Sequence, residues 1–253
     1  MIFVKIGGVV ATDPNLLSSL LADFAGLKNH QFVLVHGGGK EVTALGEKFG
    51  LQAEFQNGIR LTSPAEMEVV DMVLGGKINI DLVRRARAAG LAAVGLGGQD
   101  GGLFTGEVRP GAGKTDSRTG TITRTDTGLL EVLTRSGYFP VVNSTSCDAG
   151  GRGLNINADE AAEALAIAAR AEALVFISDI AGVLKDGQVL PRLDGPTIDA
   201  EVASGVIGGG MVPKVRSAHQ AVRAGVGRVV IGGFRAPGDL DKLLSGVWGT
   251  TIV

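Results

Sequence analysis

Short runs of apolar residues, rich in valine and isoleucine, recur along this chain and alternate with longer amphipathic stretches. The runs lack the alternation of a strand that faces solvent on one side, which indicates strands buried on both faces. Alternation of such strands with helices predicts an α/β fold: an open, mostly parallel sheet with helices on both faces. The six predicted strands are Ile2–Ile6, Phe32–Val35, Ala92–Leu96, Phe139–Val142, Leu174–Ile177 and Arg228–Ile231.

The stretches between these runs show helical periodicity. We predict helices over Asn15–Ala25, Lys40–Phe49, Pro64–Ala89, Gly128–Ser136, Asp159–Ala169 and Val215–Ala224. Two segments do not follow the alternation of strands and helices. Gly97–Thr127 is rich in Gly, Thr and Asp, which predicts hairpins or a flap. Leu184–Leu193 contains Asp186-Gly187, which predicts a hairpin. We expect two lobes that share the sheet, residues 1–172 and residues 173–253.

Composition excludes several classes of protein. The 253 residues carry 24 Lys and Arg against 26 Asp and Glu, with 4% aromatic residues, so we expect no nucleic-acid binding. Charged residues interrupt the most apolar region, Ala161–Leu184, so we expect no membrane span. The single cysteine, Cys147, cannot form an intramolecular disulfide. The first residues, Ile2–Gly8, lack the basic start, apolar middle and cleavage site of a signal peptide, so we expect none. These features favour a cytoplasmic protein.

Glycine is unusually frequent, with 40 residues, and it clusters at the ends of predicted strands. In open parallel sheets, ligands bind at the carboxyl ends of the strands, and glycine lets bare N–H groups approach anionic oxygens. The alternative is that these glycines only make tight turns. Neither standard nucleotide fingerprint, GxxxxGK[ST] or GxGxxG, is present. The clusters are Gly7-Gly8, Gly37-Gly38-Gly39, Gly95-Leu96-Gly97-Gly98 and Gly208-Gly209-Gly210.

Several charged residues occupy positions that a purely structural role explains poorly. Lys5 lies inside an apolar strand, where it either meets a ligand or snorkels to the surface. Lys214, near a predicted helix start, indicates an anionic ligand or is an ordinary surface lysine. Arg60 is flanked by apolar residues, which favours a role in binding a carboxylate. Asp159, close to Asn155, is either a helix cap or part of a polar substrate site.

Asp179 and His36 could each have a structural or a functional role. Asp179 follows a predicted strand and either caps a helix or faces a ligand. His36 opens the triple-glycine run, and we expect it to hold that turn. The three histidines have no metal-ligand spacing and no GxSxG elbow is present, so we expect neither a protein-built metal site nor a serine hydrolase.

Five motifs together resemble the amino acid kinase family, in order and spacing, over essentially the whole chain. They are Val4–Gly8, Val35–Lys40, Asn57–Thr62, Asn155–Asp159 and Gly209–Val215. The run Met67–Lys77 and the closing residues Gly249–Val253 add to the resemblance. The resemblance implies a three-layer sandwich and ATP-dependent phosphorylation of the side-chain carboxylate of N-acetyl-L-glutamate in arginine biosynthesis. Mg²⁺ would be held mainly by the phosphates of ATP.

The resemblance also implies roles for individual residues. Lys5 and Lys214 would flank the transferred phosphoryl group, and Asp159 would hold the two lysines in position. The residues implied to contact the substrate are Gly38, Gly39, Arg60 and Asn155. Those implied on the nucleotide and phosphoryl side are Gly7, Gly8, Asp179, Ile180, Ala181, Gly182, Val183, Leu184, Val206, Ile207 and Gly208.

The sequence departs from the family in two places. Arginine-inhibited members carry an extra N-terminal helix that links dimers into a hexamer, whereas here the catalytic strand starts at residue 2. We therefore expect a homodimer insensitive to arginine. Ile231-Gly232-Gly233-Phe234 stands where many members have an Asp-Gly pair, on the nucleotide side.

Two other functions remain open. A kinase for aminoadipate or glutamate on an acidic carrier protein would need a basic rim, but the intact Asn57–Thr62 run favours the free acetylated amino acid. A non-catalytic amino-acid-binding regulator on the same fold would not need Lys5, Lys214 and Asp159, which are all present. Residues that could supply a basic rim are Arg60, Arg109, Lys114, Arg118 and Arg124.

Overall fold

The computed structural model describes residues 1–111 and 116–253. The chain forms two compact units, one built from Met1–Phe32 with Ala166–Val253, and the other from Val33–Leu165. The predicted lobes differ from this division, because the first 32 residues group with the C-terminal part of the chain. The reason is that the first strand pairs with strands formed after residue 172, as described below.

Ten α-helices are present in the described part of the chain, and none of them is long and apolar enough to cross a membrane. They are α1 (Gly8–Thr12), α2 (Pro14–Gly26), α3 (Gly39–Lys48), α4 (Pro64–Val70), α5 (Asn79–Ala88), α6 (Gly128–Arg135), α7 (Ala158–Ala168), α8 (Gly195–Ala203), α9 (Met211–Arg223) and α10 (Asp239–Leu244). A π-helix, Asp71–Ile78, joins α4 to α5, and Asp100–Gly102 forms a 3₁₀ turn.

The strands confirm the predicted runs to within one residue at most ends and add short hairpin strands. They are β1 (Ile2–Ile6), β2 (Phe32–His36), β3 (Glu54–Gln56), β4 (Ile59–Leu61), β5 (Ala93–Leu96), β6 (Phe104–Val108), β7 (Gly120–Thr125), β8 (Phe139–Asn143), β9 (Thr145–Cys147), β10 (Gly153–Asn155), β11 (Ala173–Ile177), β12 (Leu184–Lys185), β13 (Gln188–Val189), β14 (Arg192–Leu193), β15 (Val229–Gly232) and β16 (Thr250–Ile252).

The unit that holds both ends of the sequence contains five sheet strands in the order β14-β16-β15-β11-β1. β1, β11 and β15 are parallel, whereas β16 is antiparallel to β15 and parallel to β14. Every residue of β11 and β15 is buried, as expected of strands covered on both faces. In β1, Lys5 alone is not fully buried.

The continuous unit contains three parallel strands in the order β2-β8-β5. Here too all residues of β2 and β8 are buried. Three antiparallel pairs, β3–β4, β6–β7 and β9–β10, carry the remaining strands. Mostly parallel strands alternating with helices confirm the predicted α/β fold class.

The helix boundaries follow local chemistry, and one prediction is wrong. Asp13 caps α2 by accepting from Asn15 N and Leu16 N, and Ser63 with Glu66 forms a capping box at α4. We predicted the last long helix to begin at Val215, after Pro213, but α9 begins at Met211. Proline fits the first turn of a helix, where its missing N–H has no intrahelical partner. Lys214 therefore lies in the first turn of α9.

The two irregular segments contain the expected hairpins. β12 and β13 pair across Asp186 and Gly187, which have φ of 51° and 79° as a type I′ turn requires. β6 and β7 pair within the predicted flap, Gly97–Thr127, with a register shift between Thr105 and Gly106. Lys114, part of the suggested basic rim, lies outside the described residues.

Two glycines near the end of the chain provide a test of this packing. A Cβ on Gly249 (φ 79°) would lie 2.8 Å from the carbonyl oxygen of Ile231, whereas one on Gly246 (φ 75°) would meet nothing closer than 3.7 Å. We expect Gly246→Ala to lower the free energy of unfolding by about 1 kcal/mol through backbone strain. Gly249→Ala should cost about 1–3 kcal/mol more, because backbone must move. Urea denaturation measures both, and equal losses would contradict this account.

Candidate active site

Lys5 and Lys214 lie on the same face of the sheet in the unit that holds both ends of the sequence. Lys5 pairs in register with Phe176 on the parallel strand β11, so the two side chains project to one side. The Lys214 Nζ lies 5.5 Å from the centre of the Phe176 ring, in cation–π geometry. Two ammonium groups from distant parts of the chain therefore face the same side of the sheet, near the carboxyl ends of β1 and β11.

The turn after β1 fits closely around charged side chains. A Cβ on Gly7 would lie 2.8 Å from Lys5 Nζ, so the ammonium group rests against bare backbone. A Cβ on Gly8 would lie 2.5 Å and 2.8 Å from the two carboxylate oxygens of Asp179. Both glycines are needed here because a side chain would displace Lys5 or Asp179.

The segment Asp179–Leu184 packs its backbone against Gly232, the last residue of β15, and against Gly233. A Cβ on Gly233 would lie 3.2 Å from the Ile180 carbonyl oxygen, and Val183 N donates to Thr250 Oγ1 over 2.8 Å. The Gly232-Gly233 pair, where the sequence departs from many family members, is thus closely packed: a Cβ on Gly232 would lie 2.5 Å from Leu243 Cδ2. Val206–Gly208 precede α9, with Ile207 N bonded to the Glu201 carbonyl and Met211 N to the Gly208 carbonyl.

In the continuous unit, the triple-glycine run forms the turn from β2 into α3. A Cβ on Gly38 would lie 2.1 Å from Ile78 Cδ1 and 2.8 Å from Leu74 Cδ2, both on the π-helix. A Cβ on Gly39 would meet nothing within 4 Å. α3 starts at Gly39, and the amides of its first turn have no acceptor within the helix. These backbone amides are among the N–H groups that we predicted, from the glycine clusters, to approach an anion.

The His36 side chain contacts the backbone of this glycine turn, as we expected from the sequence. Its ring is fully buried, with Nδ1 2.9 Å from the Gly37 carbonyl oxygen and Nε2 3.0 Å from Asn79 Nδ2. The same Asn79 amide donates to the Val141 carbonyl over 2.9 Å. Burial lowers the pKa of His36 from 6.5 to about 4, so the ring is neutral at pH 7. Nδ1–H then donates to Gly37 and Nε2 accepts from Asn79.

Arg60 is tied to the glycine turn. Its Nη2 donates to the Gly39 carbonyl over 2.9 Å and to the Thr43 hydroxyl, and its guanidinium lies 4.7 Å from the centre of the Phe55 ring. Burial lowers the pKa of Arg60, and the Glu66 carboxylate acts in the opposite direction. An arginine nonetheless stays charged in proteins. The structure thus brings a buried cation to the start of α3.

Asn155 belongs to the same network. Its Nδ2 donates to Thr62 Oγ1 over 2.9 Å, and Thr62 N donates to Thr119 Oγ1 over 2.8 Å. The Thr119 hydroxyl donates in turn to the Arg60 carbonyl over 3.0 Å. The predicted substrate residues of this unit, Arg60 and Asn155, are therefore joined through two threonines that sequence reasoning missed.

Asp159 lies in the first turn of α7, and the structure tests one of its two suggested roles, that of helix cap. The side chain of Asn157 accepts from Asp159 N over 2.8 Å and from Glu160 N over 3.2 Å. Because Asn157 is the cap, the capping role suggested for Asp159 is wrong. Glu160, which we did not single out, accepts from Arg109, the Thr121 hydroxyl and Ile122 N, fixing this end of the helix to the β6–β7 hairpin.

The described residues offer no ready-made metal site. Within residues 1–111 and 116–253, no group of three or more His, Cys, Asp or Glu side chains could hold a metal ion. A divalent cation with few protein ligands usually enters bound to phosphates, as Mg²⁺ does with nucleotides. One unit thus offers two lysines to an anion, and the other offers Arg60 and the backbone amides at the start of α3.

A mostly parallel α/β fold that places Lys5 at a strand end and Lys214 of α9 on the same side of the sheet is typical of proteins that bind anionic ligands there. The model of the amino acid kinase family matches residues 1–233. The chain belongs to the amino acid kinase family, which confirms the resemblance seen in the sequence.

Individual relatives are similar over most of the chain. It is 42% identical over 229 residues to the acetylglutamate kinase of Chloroflexus aurantiacus, covering 90% of each protein. It is 39% identical over 233 residues to the acetylglutamate kinase of Nostoc sp., covering 88% of this chain and 78% of that protein. The crystal structure of smu.665 from Streptococcus mutans UA159 superposes with a TM-score of 0.80 at 30% identity, covering 100% of this chain and 98% of that one.

The buried His36 should make the free energy of unfolding depend on pH. The folded protein keeps His36 neutral down to about pH 4, while the unfolded chain takes up a proton near pH 6.5. The contribution of His36 to stability is complete above pH 6.5 and is lost as the pH falls towards 4, by roughly 3 kcal/mol. His36→Gln removes this titration, so the free energy of unfolding should fall less steeply between these pH values.

The control is His30→Gln, a partly exposed histidine, which should keep the wild-type slope. Chemical denaturation at half-unit pH steps measures all three proteins. Parallel curves for wild type and His36→Gln would refute the assignment of a neutral, buried ring.

Proposed function

We propose that this protein transfers the terminal phosphoryl group of ATP to the side-chain carboxylate of N-acetyl-L-glutamate, forming an acyl phosphate in arginine biosynthesis. The observation that carries the proposal is the placement of Lys5 and Lys214 on one face, beside Phe176. Relatives named acetylglutamate kinase, at 36–42% identity over most of the chain, support the substrate.

Catalysis of this reaction depends on stabilising negative charge at the transferred phosphoryl group more than on moving protons. The attacking carboxylate is already ionised at pH 7, so no general base is needed. The obstacles are repulsion between this carboxylate and the polyphosphate, and the charge on the equatorial oxygens of the transferred group. Fixed cations address both. In our proposal Lys5 and Lys214 are the catalytic cations.

We assign to Asp159 the role of keeping the two lysines protonated and oriented, since a neighbouring carboxylate favours the ammonium form. Asn157, and not Asp159, accepts the hydrogen bonds from the first amides of α7, so capping does not account for the Asp159 carboxylate. ATP would bring Mg²⁺, held mainly by its phosphates, where it neutralises charge on the triphosphate.

At the acceptor side, Arg60 and Asn155 would bind the α-carboxylate, and the amides around Gly38 and Gly39 would line the phosphoryl path. The support is the single hydrogen-bonded network that joins Arg60, Asn155 and the glycine turn. At the donor side, the nucleotide would lie along Asp179–Leu184 and Val206–Gly208, with Gly7 and Gly8 next to the phosphates. The close fit of Gly7 against Lys5 and of Gly8 against Asp179 supports this.

The carrier-protein alternative finds less support. Of its suggested basic rim, Arg60 is buried against the glycine turn and Arg109 is ion-paired with Glu160. Their charges are therefore already compensated or enclosed, and a rim for an acidic protein needs exposed ones. The regulator alternative requires no chemistry from Lys5 and Lys214 and leaves their common placement unexplained.

Removing either lysine should abolish most of the catalysis. We expect Lys5→Ala and Lys214→Ala each to lower kcat by about 10²–10³, because one fixed cation is lost from the transition state. Hydroxamate formation from N-acetylglutamate, ATP and hydroxylamine measures this, with Lys28→Ala, an exposed lysine, as the matched control. Wild-type turnover only with aminoadipate on its carrier would establish the alternative kinase, and no turnover with either acid would favour the regulator.

We also propose that the enzyme is a cytoplasmic homodimer. Exposed apolar side chains on the π-helix and α5, Met72 and Ile80, provide a surface that a second copy could cover. Light scattering coupled to size exclusion should give twice the mass of one chain. Met72→Lys with Ile80→Lys should shift that mass towards the monomer, whereas the exposed control Val132→Lys should not. A monomeric or hexameric wild type would contradict the assignment.

A further inference from the structure

Arg118 occupies a central place in the continuous unit, although neither the sequence motifs nor the mechanism uses it. Its backbone N–H donates to the Thr62 carbonyl over 2.7 Å, and its carbonyl accepts from Asn155 N over 2.8 Å. Thr62 follows Arg60 by two residues, and its hydroxyl accepts from the Asn155 side chain. Arg118 therefore lies between the two stretches of chain that carry the proposed α-carboxylate ligands.

The guanidinium of Arg118 has an unmet hydrogen-bonding requirement. Its Nη1 is shielded from solvent and has no hydrogen-bond partner within the described part of the chain. A buried donor without an acceptor destabilises the folded protein, and native structures rarely keep one without a reason. Arg109 also has an unpartnered buried atom, Nε, but its charge is paired with Glu160, whereas no ion pair to Arg118 exists among the described residues.

Part of the donor set of the proposed carboxylate site is already used within the protein. A carboxylate accepts about four hydrogen bonds. Nη2 of Arg60 donates to the Gly39 carbonyl and the Thr43 hydroxyl, and the Asn155 amide donates once to Thr62, which leaves Nε and Nη1 of Arg60 and one N–H of Asn155. The Arg118 guanidinium would add a second charged donor, and charged donors form the stronger hydrogen bonds.

We propose that Arg118 is a further substrate-binding residue, which donates to the α-carboxylate of the acylated amino acid together with Arg60. This inference rests on the proposed function. It differs from the basic rim considered above, because Arg118 then recognises a small molecule in a desolvated site and takes no part in docking an acidic protein. In this proposal the α-carboxylate of the substrate accepts the hydrogen bond that Arg118 Nη1 does not make in the free protein.

The experiment removes the donor and the carboxylate in turn. Arg118→Gln and Arg118→Lys are compared with wild type using N-acetyl-L-glutamate and using 4-acetamidobutyrate, which keeps the acceptor carboxylate and lacks the α-carboxylate. Arg124→Gln, an exposed arginine on the same hairpin, is the matched control. We expect Arg118→Gln to lower kcat/KM for N-acetylglutamate about tenfold or more, mainly through KM, with the KM for ATP unchanged.

With 4-acetamidobutyrate, Arg118→Gln and wild type should differ by less than about twofold, because the bond that Arg118 makes is already missing. Thermal melting adds a readout that a structural role would move: the free Arg118→Gln protein should melt at or above the wild-type temperature, and its stabilisation by N-acetylglutamate should be smaller. Equal losses with both substrates, or a melting temperature several degrees lower, would overturn the inference.

The two proposals fail differently. If the wild type forms no hydroxamate from N-acetylglutamate, the proposed function is wrong and the role of Arg118 falls with it. If the wild type is active and Arg118→Gln has the kinetics of Arg124→Gln with N-acetylglutamate, only the role of Arg118 is wrong.

Discussion

The contact between Lys214 and the Phe176 ring, beside Lys5 on the neighbouring strand, is the constraint on which the rest of the site depends. Two ammonium groups that face one side of a sheet repel each other, and burial makes the repulsion stronger. The aromatic face offsets part of this cost, and an anion bound between them would offset the remainder. The glycines at residues 7 and 8 follow from the same constraint, because Lys5 and Asp179 occupy the space that side chains would need.

Much of the fold could be predicted from the sequence, because parallel strands that are buried on both faces have unbroken runs of apolar residues. The run Leu174–Ile177, for example, is strand β11 with one added residue. The errors have physical causes: Pro213 reads as a helix boundary but belongs to the first turn of α9. We predicted the π-helix as part of one long α-helix, because π-helices are rare and a continuous helical stretch is assigned to an α-helix by default. The short helix α10 and strand β16 carry too few residues for a periodic signal, and α8 was missed because Ile198 is its one buried residue, which leaves no apolar face to recognise.

The site was less accessible to sequence reasoning than the fold. Lys5 stands out because a charge interrupts an apolar strand, and Arg60 because apolar residues flank it. Asn79 breaks the apolar pattern of its helix in the same way, and this signal could have identified it as the partner of His36. Glu160 and Arg118 gave no such signal: each is one polar residue among several, and only tertiary structure shows what surrounds it.

The division of the chain has a consequence for synthesis on the ribosome. The unit Val33–Leu165 is continuous, so all of its contacts are available once Leu165 has left the exit tunnel. β1 is made first, yet its partner β11 lies about 170 residues later, since Ile2 pairs with Ala173. The nascent chain must therefore carry β1 without β11 through most of translation, which leaves one edge of an apolar strand uncovered during that time.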